Sequence, residues 1–529
     1  MTTYYVSTTG VDGAARDGLS PATAWRSLAY ASDRTPAGNH TIQVGPGSFV
    51  ATEPAYLKSG VTVTGSGREG AQKTQIVAST DWPLSANPRE SDRTLDEYLI
   101  VLQDAQNVTL KNLVLASEPS HRITGAVYVA NASAVTIHDV GIKDFRWVGL
   151  QFQRSEQLNV HNNVIENAST EKFGQTNGLI RTRFIKSSDF HRNTITSTTG
   201  GYGYKGGGHE DVRINNNTFE LDSGFAIESA HENEFGVEIS HNRANQTISI
   251  PKGRQSADPN SRGYDYSFWI HHNFLTDSYA IEGPRNHLRL SHNYIRVEDT
   301  GGNIYTHHGG INNGPVWIHH NVIENVDRGL VWMNQGLAEN IYVYNNTVTL
   351  ANAGPRAGAI LSAPNRNDPT QGANNWIAKN NIFIAPDNQV RALTRDNGSE
   401  QKMTVEDNVV VNVNRLPLGE NNNVELGHDL GVLARGDRPW PFYAPADANS
   451  PLVDLGSDVG FPFLGAAPDV GAYELGEQSP FPIAVQPLPR AAQISWERLR
   501  RGDLEVTALG AFLLLSMVPI GLVKLKKIR

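Results

Sequence analysis

One short phrase recurs along the chain from Val135 to Asn408: an alternating apolar strand, an asparagine, then another apolar pair. It reads LNVHNNVI from Leu158, FWIHHNFL from Phe268, VWIHHNVI from Val316 and IYVYNNTV from Ile341. The aligned asparagines are Asn163, Asn193, Asn217, Asn242, Asn273, Asn293, Asn321, Asn346, Asn381 and Asn408, at intervals of 20 to 35 residues. A strand unit of this length cannot bury its apolar face alone, whereas a stack of such units can. The phrase therefore predicts an all-β solenoid, which we read as a right-handed parallel β-helix.

A coil makes length a poor counter of domains, so the 529 residues are expected to divide unevenly. Residues 1–475 are assigned to the β-helix with its N-terminal cap, 476–505 to a linker and juxtamembrane segment, and 506–529 to a C-terminal transmembrane helix with a basic tail. The linker is rich in proline at SPFPI and QPLPR. The run from Val506 to Val523 carries 18 residues without a charge and ends in KLKKIR. As a helix it would span about 27 Å, close to the roughly 30 Å hydrocarbon core of a bilayer. The basic end suggests a cytoplasmic tail and an extracytoplasmic β-helix. No signal-peptide pattern is recognisable before the first strand, Thr3-Tyr4-Tyr5-Val6. A net charge of −9 with the basic residues scattered leaves no nucleic-acid footprint, and the absence of cysteine excludes disulfides, thiolate metal sites and a cysteine nucleophile. Ser20-Pro21 is expected to open a helix through Ala31, with Trp25, Leu28 and Ala29 as the stripe that covers the open end of the coil.

The opening YYVS strand, the SPATAW segment and the strand from Thr41 to Phe49 resemble the start of many secreted parallel β-helix proteins. The closing phrases, from Asn449 to Asp454 and from Pro468 to Glu474, are similar to those of carbohydrate-active members of the pectate-lyase-like superfamily. That resemblance implies a polysaccharide lyase or glycoside hydrolase scaffold, although non-enzymatic adhesins share the fold.

Equivalent residues of successive rungs stack about 4.8 Å apart, so one sheet position becomes a column. After each asparagine comes a further strand whose second and fourth residues are mostly large and apolar, which places the fifth outside. This reading gives an outward column of Gln153, Thr182, Lys205, Glu228, a rung containing Lys252, then Glu282, His307 and the neighbourhood of Asn334. Tyr202, Tyr204 and Trp332 are assigned inward, while Trp147 and Tyr305 are the candidate sugar-stacking rings. Glu228 and Glu282 fall two rungs apart, a spacing compatible with an acid and a base in inverting hydrolysis. The same surface suits β-elimination of a uronic acid, with Lys205 or His231 as base and Lys252, Arg254 or Arg285 neutralising the carboxylate. It resembles the lyases that include chondroitinase B and alginate lyases, in which a lysine and an arginine on neighbouring rungs act beside calcium. Here the rung after Lys205 offers Glu228 in place of the arginine. His209, in the GGGHE loop, joins the candidate binding residues because loops on a rigid scaffold commonly carry the site.

His241, His272, His292 and His320 each precede a ladder asparagine, but asparagine or aspartate holds that place in other rungs, so a turn-lining role is expected rather than a metal site. No cofactor is required by this reading, with calcium conceivable among Asp222, Glu232 and Glu234. The expectation is a monomeric, membrane-anchored ectodomain that cleaves glycosidic bonds in a polysaccharide by hydrolysis or elimination. The alternative is a non-catalytic glycan-binding or structural surface solenoid.

Overall fold

The computed structural model describes residues 1–86, 95–168, 178–229, 233–250, 258–276, 281–282, 287–297, 303–312, 314–326, 329–350, 361–362, 372–385, 394–395, 403–412, 422–433 and 443–478; for 281–282, 303–312, 332–338, 362, 372 and 394–395 it describes the backbone only. The proposed linker beyond 478 and the apolar run 506–523 lie outside the described residues. Among the described residues no helix is long and apolar enough to cross a membrane.

Every pairing between the described strands is parallel, and each strand bonds to the equivalent strand one rung earlier and one rung later. Three faces result. Sheet A precedes the asparagine turn and contains Lys186–His191, Glu210–Asn215, Phe235–Ser240 and Phe268–His271. Sheet B follows the turn and contains Thr194–Ser197, Thr218–Leu221 and Phe274–Thr276. Sheet C contains Val148–Gln153, Gly178–Arg183, Tyr202–Gly206, Phe225–Ser229, Thr247–Ser249 and Ile281–Glu282. Inward residues of all three form one continuous apolar core from Val6 to Val410.

The asparagines are the hinge between sheets A and B, and each is satisfied in the same way. Asn293 is representative: its Oδ1 accepts from the backbone N–H of Asn273 at 2.9 Å and from Asn273 Nδ2 at 3.0 Å. Its own Nδ2 donates to Asn321 Oδ1 and to the carbonyl of Ile270, both at 2.9 Å. A buried amide with two donors and a two-fold acceptor is the side chain such a site needs. The ladder continues one rung past the sequence reading, to Asn423, which lies only 15 residues after Asn408. The residue before each ladder asparagine adopts left-handed backbone, with φ of +44° to +58° at Asn162, Arg192, Asn216, His241, His272, His292, His320, Asn345, Asn380, Asp407 and Asn422. Asn, Asp and His tolerate that region better than β-branched residues. The histidines therefore belong to the turn.

The N-terminal cap differs from expectation. Ser20 caps only a single 3₁₀ turn, Pro21–Thr23, and the α-helix runs from Leu28 to Arg34 with Ser27 as its N-cap. Trp25 breaks the two apart because its backbone bonds to Tyr5 and Ser7 and its ring stacks on Tyr4 at 5.4 Å. Tertiary pairing there outweighs local helix propensity. Leu28 and Ala31 still bury against the first rungs.

At the other end the closing phrases fold back along the outside of sheet B. Leu452 and Val470 pack on Ile382, Val409 and Val411, and Ala472 donates its N–H to Thr347 Oγ1 at 3.1 Å. Asn380 spans the same contact, donating to the Ser457 carbonyl at 2.7 Å and accepting from the Ser457 N–H at 2.9 Å.

Candidate functional site

The backbone register of sheet C runs Gln151, Arg181, Lys205, Glu228, Ser249, Glu282, Thr306, Trp332, with the Arg181, Lys205 and Glu228 side chains partly exposed on its outer face. Lys205, Glu228 and Glu282 are thus brought into one column, as the sequence reading required. The other rungs are corrected. Arg181 replaces Thr182 because Ile180 and Thr182, not Leu179 and Arg181, share the inward side with Tyr204. A one-residue slip exchanges the faces of a strand. Gln153 lies two residues further on, beside Arg183. Ser249 supplies the rung expected from Lys252, and Lys252, Arg254, Arg285 and His231 lie outside the described residues.

The same slip moves the later rungs. Thr306 rather than His307 is in register with Glu282, and Tyr305 aligns with Ile281 and Val331, a column whose described members are buried. Trp332, expected inward, is in register with the outward column. Asn334 is the extra residue of a bulge, since Met333 pairs with His307 and Gln335 with His308.

Lys205 Nζ lies 2.8 Å from Glu228 Oε2, with both side chains about 15% exposed. It also sits 3.9 Å from the centroid of the Tyr202 ring, which stacks on Phe225 at 5.3 Å. Tyr202 is therefore partly exposed beside the cation, not core as expected, whereas Tyr204 is fully buried. Burial pushes the Lys205 ammonium below its usual pKa; the hydrogen bond and charge of Glu228 oppose this, and the neighbouring Arg181 adds to it. The Arg181 guanidinium packs 4.6 Å from the Trp147 ring. Trp147 is 1% exposed, so it braces the arginine and is not an open sugar platform.

Above Arg181 the face is closed by Tyr98, Val101, Tyr128 and Trp147, which form their own apolar cluster. Inside that cover, Trp147 Nε1 and Gln151 Nε2 are buried donors with no acceptor among the described residues. Buried donors left unpaired are uncommon and mark places where an acceptor would be stabilised. The column therefore opens at Arg181, with the cations Arg181 and Lys205 at its head and the Glu228 carboxylate below them.

His209 is corrected most strongly. It is fully buried, with Nδ1 3.0 Å from Glu234 Oε2 and Nε2 2.9 Å from Thr182 Oγ1. Glu234, also fully buried, accepts from the backbone N–H groups of Gly208 and His209, both at 3.0 Å, and from Ser229 Oγ at 2.9 Å. The glycine run permits this close turn, because a Cβ on Gly206 would stand 2.0 Å from Thr182 Oγ1. The loop holds a buried polar core and does not present His209 to ligand. Glu234 is consequently engaged away from the conceived calcium set, and Glu232 lies outside the described residues. Among the described residues no three His, Cys, Asp or Glu side chains are gathered as a metal site.

A groove of about 450 Å³ lies at the corner between sheets C and A, lined in part by Lys186, Glu210 and Arg262. Glu210 holds Lys186 at 2.9 Å and Arg262 at 3.4 Å, so these charges are internally paired.

No family model matches the sequence. No curated protein matches it either. Solved structures do match in shape. A tailspike protein mutant of E. coli bacteriophage HK620, in complex with a pentasaccharide, has a TM-score of 0.50 at 9% identity, covering 77% of this chain and 76% of its own. A DFA-IIIase from Arthrobacter chlorophenolicus A6 in complex with DFA-III gives 0.43 at 10% identity over 77% and 94%. The PL6 family alginate lyase AlyGC gives 0.45 at 11% identity over 82% of this chain and 55% of that enzyme. At such identities the likeness is one of fold, and that fold is the right-handed parallel β-helix.

Proposed function

We propose that the protein is a carbohydrate-active enzyme that cleaves an acidic polysaccharide by β-elimination at the outer face of sheet C. The observation that carries this reading is the Arg181, Lys205, Glu228 column: a lysine of lowered pKa with an arginine one rung above and a carboxylate one rung below. The lysine–arginine pairing on neighbouring rungs, which the sequence did not offer after Lys205, is present before it.

In this mechanism Arg181 neutralises the uronate carboxylate, which makes the adjacent C5 proton acidic. Neutral Lys205 takes that proton through Nζ. The C5–H electron pair forms the C4–C5 double bond as the C4–O bond breaks, and the resulting Lys205 ammonium returns the proton to the leaving oxygen. No water is consumed. Glu228 sets the fraction of neutral Lys205 through its ion pair.

Hydrolysis is the second reading, favoured by the two-rung separation of Glu228 and Glu282 across Ser249. Extracytoplasmic location, with the run 506–523 as a membrane tether, belongs to the proposal in either case. Incubation with alginate, polygalacturonate and hyaluronate, following ultraviolet absorbance and reducing ends together, separates the two. Absorbance rising in step with reducing ends supports elimination. Reducing ends without absorbance refute elimination and select hydrolysis, while neither signal refutes both.

A further inference from the structure

The outer face of sheet A carries a different column. From the N-terminal side it reads Thr109, Thr136, Asn159, Asp189, Arg213 and Glu238, all short or charged. It then changes character to Trp269, Arg289, Trp317 and Tyr342 on four consecutive rungs, each partly exposed. The core does not require a ring at an outward position, although rings on adjacent strands stabilise one another across the sheet face and Phe461 stands 6.3 Å from Trp317. Core packing of sheet A is already supplied by the alternating inward residues Ile270, Leu290, Ile318 and Val343.

The polar partners are also arranged. Glu238 pairs with Arg213 at 3.6 Å and with His271 at 3.2 Å, which occupies the acidic side chain of the strip. Arg289 pairs with no carboxylate among the described residues; its guanidinium stands 5.8 Å from the Tyr266 ring, and Tyr266 in turn lies 5.7 Å from Trp269. Trp317 and Tyr342 sit together at 4.4 Å. Phe461 of the returning C-terminal segment stacks on His319 at 4.4 Å and so borders the strip on one side. Trp269 and Trp317 are two rungs apart, about 10 Å along the axis, with the cation between them.

We propose that this strip is an ancillary binding surface for an acidic polysaccharide lying along the solenoid axis, apart from the reacting column on sheet C. Pyranose rings pack against Trp269 and Trp317, and Arg289 takes a sugar carboxylate. Charge complementarity selects an anionic chain: the strip presents a cation whose acidic neighbour is already paired. The choice of an acidic glycan is shared with the reaction proposed above, but the surface and its residues are not.

The test is electrophoresis of the full chain in gels containing alginate, polygalacturonate or hyaluronate, with dextran as the neutral control. The expected result is retardation by at least one acidic polymer and not by dextran, weakened at least tenfold in Arg289→Gln and in the Trp269→Ala/Trp317→Ala double variant. Cleavage of short uronate oligosaccharides should change less than twofold in either variant. Arg289→Gln alters one partly exposed side chain and keeps the test decisive if the tryptophan variant fails to fold. Repeating the gels with Lys205→Ala/Glu228→Ala separates the two proposals, since binding should persist there whatever happens to turnover. Unchanged retardation in the Arg289 and tryptophan variants, equal retardation by dextran, no retardation by any polymer, or an oligomer seen by sedimentation that the Trp269→Ala/Trp317→Ala variant dissociates would each overturn the proposal.

Discussion

Lys205 and Glu228 occupy equivalent positions of adjacent rungs and close a 2.8 Å ion pair across the 23 residues of sequence that separate them. The pair gives the two chemical readings opposite consequences for one substitution. In elimination Glu228 holds Lys205 in its charged form, so Glu228→Gln should lower the Lys205 pKa further. The rising limb of the pH–rate profile should then move to lower pH with turnover retained. In hydrolysis the same change removes an acid or base and turnover should fall about 10²- to 10⁴-fold at every pH. A pH profile of kcat/KM for the two proteins decides the matter.

Arg181 is the next discriminating position. If it neutralises a substrate carboxylate, Arg181→Met should reduce kcat/KM on uronate polymers by about two orders of magnitude, in line with the loss of one preorganised charge-stabilising group. Arg181→Lys should recover part of the loss, since a point charge replaces a planar fork. Thermal unfolding should change little for the lysine variant. An unchanged kcat/KM in Arg181→Met would remove Arg181 from the reaction.

The buried His209 and Glu234 pair predicts a stability effect. Glu234→Ala leaves the N–H groups of Gly208 and His209 without their acceptor, and leaves the Ser229 hydroxyl and His209 Nδ1 only each other, at 3.2 Å. Each buried donor left without an acceptor costs about 1 to 3 kcal/mol. Because a solenoid can lose rungs locally, the effect should be read by amide hydrogen exchange. Protection should fall most at Gly178–Arg183, Tyr202–Gly206 and Phe225–Ser229, with distant rungs retaining theirs.

These residues show how far the sequence could be read. The asparagine phrase carries its own physics, so the parallel coil and the ladder were legible from spacing, and the turn histidines from the asparagine and aspartate that hold their place on other rungs. The ladder's last member escaped because the interval from Asn408 to Asn423 is only 15 residues. Sheet C was harder. Its strands open with small residues, and Gly178-Leu179-Ile180 offers two apolar neighbours that fit either phase; the pairing of Ile180 with Tyr204 settles the register and exposes Arg181. His209 misled for a different reason. A histidine after three glycines looks like a loop ligand until the turn is seen to fold it under Thr182 and onto Glu234.

The ladder also allows an internal comparison. Asn293→Ala removes the acceptor of the Asn273 N–H and the donor to the Ile270 carbonyl, all in a fully buried setting. Each orphaned group costs about 1 to 3 kcal/mol. Asn423→Ala removes the acceptor of the Asn408 N–H and the donor to the Val405 carbonyl, but Asn423 is partly exposed and water can replace it. The first variant should lower the melting temperature by several degrees more than the second, as measured by calorimetry. Equal shifts would mean that the ladder is not the principal hinge of the turn.

Acid sensitivity follows from the histidine stack. The rings of His241, His272, His292 and His320 lie face to face with centroids 4.9, 5.0 and 5.1 Å apart. Burial, then the charge of neighbouring histidines, pushes His272 and His292 down to about 4 and His320 to about 3. Their folded pKa values therefore lie below the unfolded value of about 6.5. The unfolded chain binds more protons between these limits, so the stabilisation is fully present above about pH 6.5 and is lost as pH falls through 4 towards 3. Glu474 acts in the opposite sense. Burial raises its carboxyl to about 7, so its contribution to the C-terminal contact is present below its usual value of 4.5 and is lost as pH rises through 7. Melting temperature should consequently be highest at intermediate pH. His292→Asn, which keeps a residue suited to the left-handed turn, should flatten the acid limb, and Glu474→Gln should flatten the alkaline limb. An acid limb unchanged in His292→Asn would place the sensitivity elsewhere, with Glu238 the first alternative, because its hydrogen bond from His271 lowers its pKa and is also lost on protonation.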